Sequence, residues 1–157
     1  MYILRDRCLF GINKVNFTVP ENYSIDAKET DLEDNILSFL SPDESFTVSY
    51  KLVHTNQDTK QALSNSQMGL FDKCQPIEEI EHNGMKGYST TYGDEKEQYF
   101  DARFIIGKTD SESTEIEFSI LTYHGDIERI KASPEFRELF DSIWIKGSRK
   151  YKINKNS

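Results

Sequence analysis

The chain of 157 residues holds only two cysteines, Cys8 and Cys74, and they do not form a C-x-x-C pair. That excludes a disulfide framework or a cysteine-rich zinc module as the source of stability. Reduced, buried thiols are the expectation; a single Cys8–Cys74 bridge is allowed by the count but not required. No apolar run approaches the ~20 residues of a membrane-spanning helix. The opening "MYILRDRCLFGI" carries Arg5, Asp6 and Arg7 where a signal peptide would be uninterruptedly apolar, and Cys8 follows "LRDR" rather than a lipoprotein leader. Read as a complete chain, this points to the cytoplasm.

Reactive motifs are also missing. "FIIGKTD" (104–110) ends like a phosphate-binding loop, but position 102 is alanine where the loop needs glycine. The following "TEIEFSILTY" alternates like a strand, whereas a phosphate loop opens a helix whose N-terminus faces the anion. "IIGKTD" is therefore read as a hairpin turn. His54, His82 and His124 lack the i, i+4 spacing of a helical metal pair and are assigned to strand ends or turns. "TDSES" lacks the ligand ladder and glycine of a calcium loop. No G-x-S-x-G elbow exists. Cys74 is placed on the buried stripe of a helix, which argues against a nucleophile. No catalytic residue, metal or cofactor is expected.

What is present is enough for one core. Aromatic residues are 12% of the chain, with ten Phe and eight Tyr, and a chain of this length buries roughly 70% of its unfolded surface. Net charge is −8, unevenly spread. Residues 146–157, "KGSRKYKINKNS", hold five Lys or Arg and no acid, leaving 14 basic and 27 acidic residues elsewhere. An acidic body repels nucleic-acid backbones. The organisation expected is one domain over residues 1–147 and a basic, solvated tail over 148–157.

Periodicity is mostly two, the signature of strands. Val15, Phe17 and Val19 alternate with Asn16 and Thr18 up to Pro20. "NILSFLSPDESFTVSYKLVHT" reads as a hairpin around "SPDES", with Phe46, Val48, Tyr50 and Leu52 on one face. "DTKQALSNSQMGLFDKC" shifts to helical spacing, with Leu63, Leu70, Phe71 and Cys74 on one stripe, Asp58 or Thr59 as cap, and Gly69 as a weak point. Residues 76–125 read as a four-strand meander turning at "HNG", "YGDEKE" and "GKTDSES". Phe100, Ala102, Phe104 and Ile106 share a face with Ile116, Phe118, Ile120 and Thr122. The opposite face carries Asp101, Arg103, Glu115 and Glu117, which suits water or cross-strand ion pairs. Asp126 with "IERI" adds a short helix. A closing helix starts at the Ser133 cap with Pro134 in its first turn, and buries Phe136, Leu139, Phe140 and Ile143. Two apolar helical stripes need a sheet to cover, so the fold class is α+β: an antiparallel sheet flanked by helices.

Tyr88, Tyr92, Tyr99 and Tyr123 gather on the meander with Thr90 and Thr91. Tyrosine offers stiff contact area and a hydroxyl, as interfaces favour. Tyr88 and Tyr92 fit an interface or packing beneath a helix equally well. Tyr99 and Tyr123 suit ordinary sheet packing. The candidate partner-binding set is Tyr88, Thr90, Tyr92, Tyr99 and Arg103.

"VNFTVPENYSI", "LSFLSPDESFTVSYKL", "EIEHNGMKGYSTTY" and "ASPEFRELFDSIWI" follow one another in an order that resembles the PsbP-like, or Mog-like, superfamily over about residues 12–145. The resemblance implies an α/β/α sandwich around a twisted antiparallel sheet of six to seven strands. It implies work done by binding other proteins: members include an extrinsic subunit of the oxygen-evolving complex, a Ran-binding protein and bacterial proteins, among them chaperones for secreted effectors. No functional residue carries over. The resulting expectation is a non-catalytic protein-binding module of a bacterial cell, of chaperone, adaptor or immunity type, monomeric or homodimeric, with a protein partner. Two other classes stay open: a protein with a Phe- and Tyr-lined pocket for a small apolar ligand or lipid, and an acidic inhibitor that mimics nucleic acid.

Overall fold

Residues that alternate in the sequence form strands in the structure, a computed structural model that describes residues 7–67, 73–123 and 126–145. In chain order they are β1 (Arg7–Ile12), β2 (Val15–Pro20), β3 (Ser24–Ile25), β4 (Ile36–Leu40), β5 (Phe46–Thr55), α1 (Thr59–Gln67), β6 (Lys73–Cys74), β7 (Glu78–His82), β8 (Met85–Gly93), β9 (Gln98–Lys108), β10 (Ser113–Thr122), α2 (Ile127–Lys131), α3 (Pro134–Asp141) and β11 (Trp144–Ile145). The main sheet has eight strands in the order β3-β4-β5-β10-β9-β8-β6, with β7 also paired to β8; β1, β2 and β11 make a three-stranded sheet. All pairings are antiparallel. The three two-residue strands, β3, β6 and β11, are too short to leave a periodic signal, and they extend the sheets beyond what alternation reveals.

The turns follow local chemistry. Asn83 and Gly84 have φ of 51° and 82°, the pair of positive values that a two-residue hairpin needs to match strand twist. At "SPDES", Asp43 accepts bonds from the Ser41 hydroxyl and from the hydroxyl and N–H of Ser45. Those bonds hold its carboxyl below the usual carboxylate range. Asp94 takes the N–H groups of Lys96 and Glu97 in the next turn. "GKTD" closes the β9–β10 hairpin, where the Thr109 N–H donates to Glu112.

One face of the main sheet is apolar. Phe46, Val48, Tyr50 and Leu52 lie in register with Thr122, Ile120, Phe118 and Ile116, and these with Gln98, Phe100, Ala102 and Phe104. On this face α3 lays Phe136 and Leu139, and the small sheet adds Phe17, stacked on Tyr50 at 3.6 Å. Ser133 caps α3 by accepting from the Phe136 N–H at 3.1 Å, with Pro134 in the first turn. The β7–β8 turn ties down the other end of α3: the Asn83 amide donates to the carbonyls of Asp141 and Ile143 at 3.1 and 2.9 Å. His82 Nε2 donates to the Phe140 carbonyl at 2.8 Å, which supplies acceptor groups at the helix end with donors.

Helix α1 lies on the opposite face, giving layers of helix, main sheet, and helices with the small sheet: an α+β sandwich. Asp58 caps it by accepting from the Gln61 N–H, and Leu63 is fully buried. Leu70, Phe71 and Gly69 lie outside the described residues, as do His124 and the basic tail. Cys74 does not share the helical stripe. It stands in β6, is exposed, and is free, as is Cys8. The helical spacing misled because Leu63 lies in α1 and Cys74 in β6, so their offset spans two elements. The two thiols expected to be buried both face solvent.

Candidate functional site

Side chains alternate across a strand, so the residues between the core positions of β8, β9 and β10 share the second face. That face brings the five candidate residues together. Tyr92 opposes Tyr99, Thr90 opposes Asp101, and Tyr88 opposes Arg103; β10 continues these rows with Leu121, Ser119 and Glu117.

The environments differ sharply. Tyr92 is buried, stacks on Tyr99 with centroids 5.0 Å apart, and donates its hydroxyl to Asp101 Oδ2 at 2.6 Å. Thr90 is buried and accepts from the Gln67 amide at 2.6 Å while donating to the Gln75 carbonyl. Tyr99 is half-buried and donates to Glu97. Arg103 reaches Glu115 at 3.1 Å and Glu117 at 3.4 Å. Tyr88 is partly buried, as Tyr99 is. Tyr123, expected in ordinary sheet packing, stands beyond the end of β10 with 54% of its surface exposed.

The polar face is not simply a wet face. Glu115 is 0% exposed; its carboxylate accepts from Arg103, from the Thr59 hydroxyl at 2.7 Å and from the Ser113 hydroxyl at 2.8 Å. Asp101 is 4% exposed and takes the Ser119 hydroxyl at 2.7 Å on its other oxygen. The expected cross-strand ion pairs are present, but Asp101 and Glu115 do not meet water, because α1 and neighbouring side chains close over them. Helix α1 is held at both ends by this face, Thr59 to Glu115 and Gln67 to Thr90.

Burial, reinforced by nearby Glu117, raises the Asp101 carboxyl to about 6, against the opposing pull of the Tyr92 and Ser119 hydroxyls and Arg103. Burial and then Asp101 push the Tyr92 phenol upward; burial and then Glu97 push Tyr99 to about 12. Burial lowers the His82 pKa, opposed by its bond to Phe140 and by Asp141. A carboxyl shifted this far can mark a reactive centre. Here both oxygens of Asp101 are already engaged, and the arrangement acts as an internal brace.

Open space begins beside Tyr88. A hollow of about 500 Å³ is lined by Glu79, Glu81, Lys86, Tyr88 and Ile105, with Ile80 and Gly87. A second, of about 340 Å³, shares Tyr88 and Ile105 and extends between residues 55–59 and 108–113. Sequence patterning marked Tyr88 but not Ile105, Glu79 or Glu81. The signal was "EEIEH", three glutamates on one short strand, which carries meaning only once that strand is known to lie at an edge. Among the described residues no group of three or more His, Cys, Asp or Glu side chains is placed to hold a metal ion, and no helix is long and apolar enough to cross a membrane.

Comparison with solved structures returns the same fold. LpqN of Mycobacterium tuberculosis, involved in cell envelope biogenesis, superposes with a TM-score of 0.61 at 8% identity, covering 89% of this chain and 90% of that one. The Ran-binding protein Mog1p of Saccharomyces cerevisiae gives 0.50 at 9%, covering 88% and 95%. PA94 of Pseudomonas aeruginosa, a protein of unknown function, gives 0.52 at 14%, covering 87% and 94%. The chain thus shares its fold with these three proteins, and identities this low speak to the fold alone. No protein-family model and no curated protein sequence matches it.

Proposed function

We propose that this chain is a non-catalytic protein-binding module, of adaptor, chaperone or immunity type, whose contact surface centres on the open part of the second sheet face at Tyr88. The observation that carries this reading is the groove on either side of the Tyr88 ring, backed by a fully braced layer of charges and hydroxyls. A stiff aromatic beside a pre-organised polar surface is the make-up of an interface hot spot. Arg103 stands opposite Tyr88, while Thr90, Tyr92 and Tyr99 continue the same face in the next rows. A structural neighbour that is a Ran-binding protein agrees with a protein as ligand.

The other two readings find less support. Between sheet and α3 the rings of Phe100, Phe118, Phe136 and Phe140 lie 5.3 to 6.3 Å apart and occupy the space a lipid would need. The acids at the centre of the second face, Asp101, Glu115 and Glu117, are internal or paired to Arg103, which leaves no phosphate-like row across β9 and β10.

Purification of the tagged chain from its native host under gentle conditions should bring down one stoichiometric protein, and Tyr88→Ala should release it. A chain that emerges alone under varied salt, growth phase and cross-linking would defeat the reading.

A further inference from the structure

We infer that the outer edge of β7 is a docking site for an extended, basic segment of a partner protein, added to the main sheet as a further antiparallel or parallel strand. This deepens the protein-binding reading and rests on it.

Strand β7 pairs only with β8 among the described residues. His82 and Met85 flank the two-residue Asn83–Gly84 turn, so they exchange hydrogen bonds, as do Ile80 with Gly87 and Glu78 with Ser89. The N–H and C=O groups of Glu79 and Glu81 therefore point away from the sheet. An edge of this kind is a template for another strand. Natural edges carry charge that repels unwanted strands; on β7 that charge comes from three exposed glutamates, at 78, 79 and 81, which repel an acidic strand and attract a basic one. Glu79 and Glu81 share the face of the 500 Å³ hollow, where Tyr88 and Ile105 form an aromatic and aliphatic floor. Lys86 and Lys108 are the basic residues of the walls. A strand with Lys or Arg at alternate positions would place those side chains beside Glu79 and Glu81 and lay their aliphatic stems over Tyr88, a combination of charge pairing and cation–π contact.

The test uses the full chain and two synthetic peptides, an alternating Lys-Val hexamer and its Glu-Val counterpart. Hydrogen exchange read residue by residue should show the Glu79 and Glu81 amides exchanging freely in the chain alone and at least tenfold slower with the Lys-Val peptide, with no effect of the Glu-Val peptide. The double variant Glu79→Lys with Glu81→Lys should reverse that preference. Glu79→Pro, which removes only an outward N–H, should weaken binding at least tenfold while near-UV circular dichroism stays unchanged. Equal binding of both peptides, or protection elsewhere, overturns the proposal. So does slow exchange at both amides before any peptide is added, since the edge is then already covered, for instance by the basic residues 146–157. A native partner retained by the charge-reversed variant sinks this inference and leaves the protein-binding reading standing; absence of any partner sinks the latter.

Discussion

The two faces of the main sheet are built from the same strands and solve opposite problems. On one, Phe100, Phe104, Phe118 and Tyr50 meet Phe17, Phe136 and Leu139, and stability comes from area removed from water plus edge-to-face ring contacts of about 0.5–1.5 kcal/mol each. On the other, Asp101, Arg103, Glu115 and Glu117 are drawn under or beside α1 and kept tolerable by donors placed around them. The first face tolerates imprecise geometry and punishes lost volume. The second tolerates small changes of volume and punishes a lost partner. The comparison shows why a polar sheet face need not be a solvent face: a single helix of nine residues, Thr59–Gln67, converts part of it into interior.

That contrast can be broken by substitution. The largest effect is expected for Phe118→Ala, at the centre of the aromatic layer and 0% exposed; chemical denaturation should show a loss of about 3–5 kcal/mol with a folded but less stable protein. Glu115→Gln should cost less, about 2–3 kcal/mol, because Arg103 keeps Glu117 as a partner while one acceptor site on residue 115 becomes a donor facing hydroxyls. A loss equal to that of Phe118→Ala would mean that the brace is as much the core as the rings are.

Asp101 sharpens the comparison through pH. Its folded-state value of about 6 lies above the ordinary 3.8, so the folded protein holds the proton more tightly than the unfolded chain. Its contribution is most favourable below pH ~4 and is lost as pH rises to ~6, by roughly 3 kcal/mol at most. Urea titrations should show wild type losing stability relative to Asp101→Asn across that window; parallel curves would contradict the sign. The smallest effect is expected for Asp58→Ala, which removes the cap of α1 and should cost about 1 kcal/mol, seen as faster amide exchange in the helix over the polar face.

Much of the frame was legible because it depends on neighbours in sequence. Asn83–Gly84 dictates a tight hairpin, Ser133–Pro134 starts a helix, and alternating Phe100 to Phe104 and Ile116 to Ile120 mark paired strands. Cys74 was misplaced because helical spacing happens to run on from Leu63 in α1 to Cys74 in β6, two different elements, and the strand β1 had no alternation clear enough to read. At the candidate site, Tyr88, Thr90, Tyr92, Tyr99 and Arg103 were assembled on one face as alternation requires. Which of them would be covered was not readable, since Tyr92 and Thr90 are bonded to Asp101 and to Gln67, and the larger hollow at Tyr88 owes its walls to β7, β8 and β9.

The sequence by itself determined the period of each segment, the chemistry of each turn and the apolar face of the sheet, because backbone sterics and side-chain alternation act over a few residues. Only the tertiary structure decided that Asp101 and Glu115 are interior, that α1 closes over part of one face, and that among the described residues β7 pairs with β8 alone, its glutamates exposed. Those outcomes depend on donors and acceptors meeting across many positions of chain, as Thr59 meets Glu115, and on which strands the fold brings side by side.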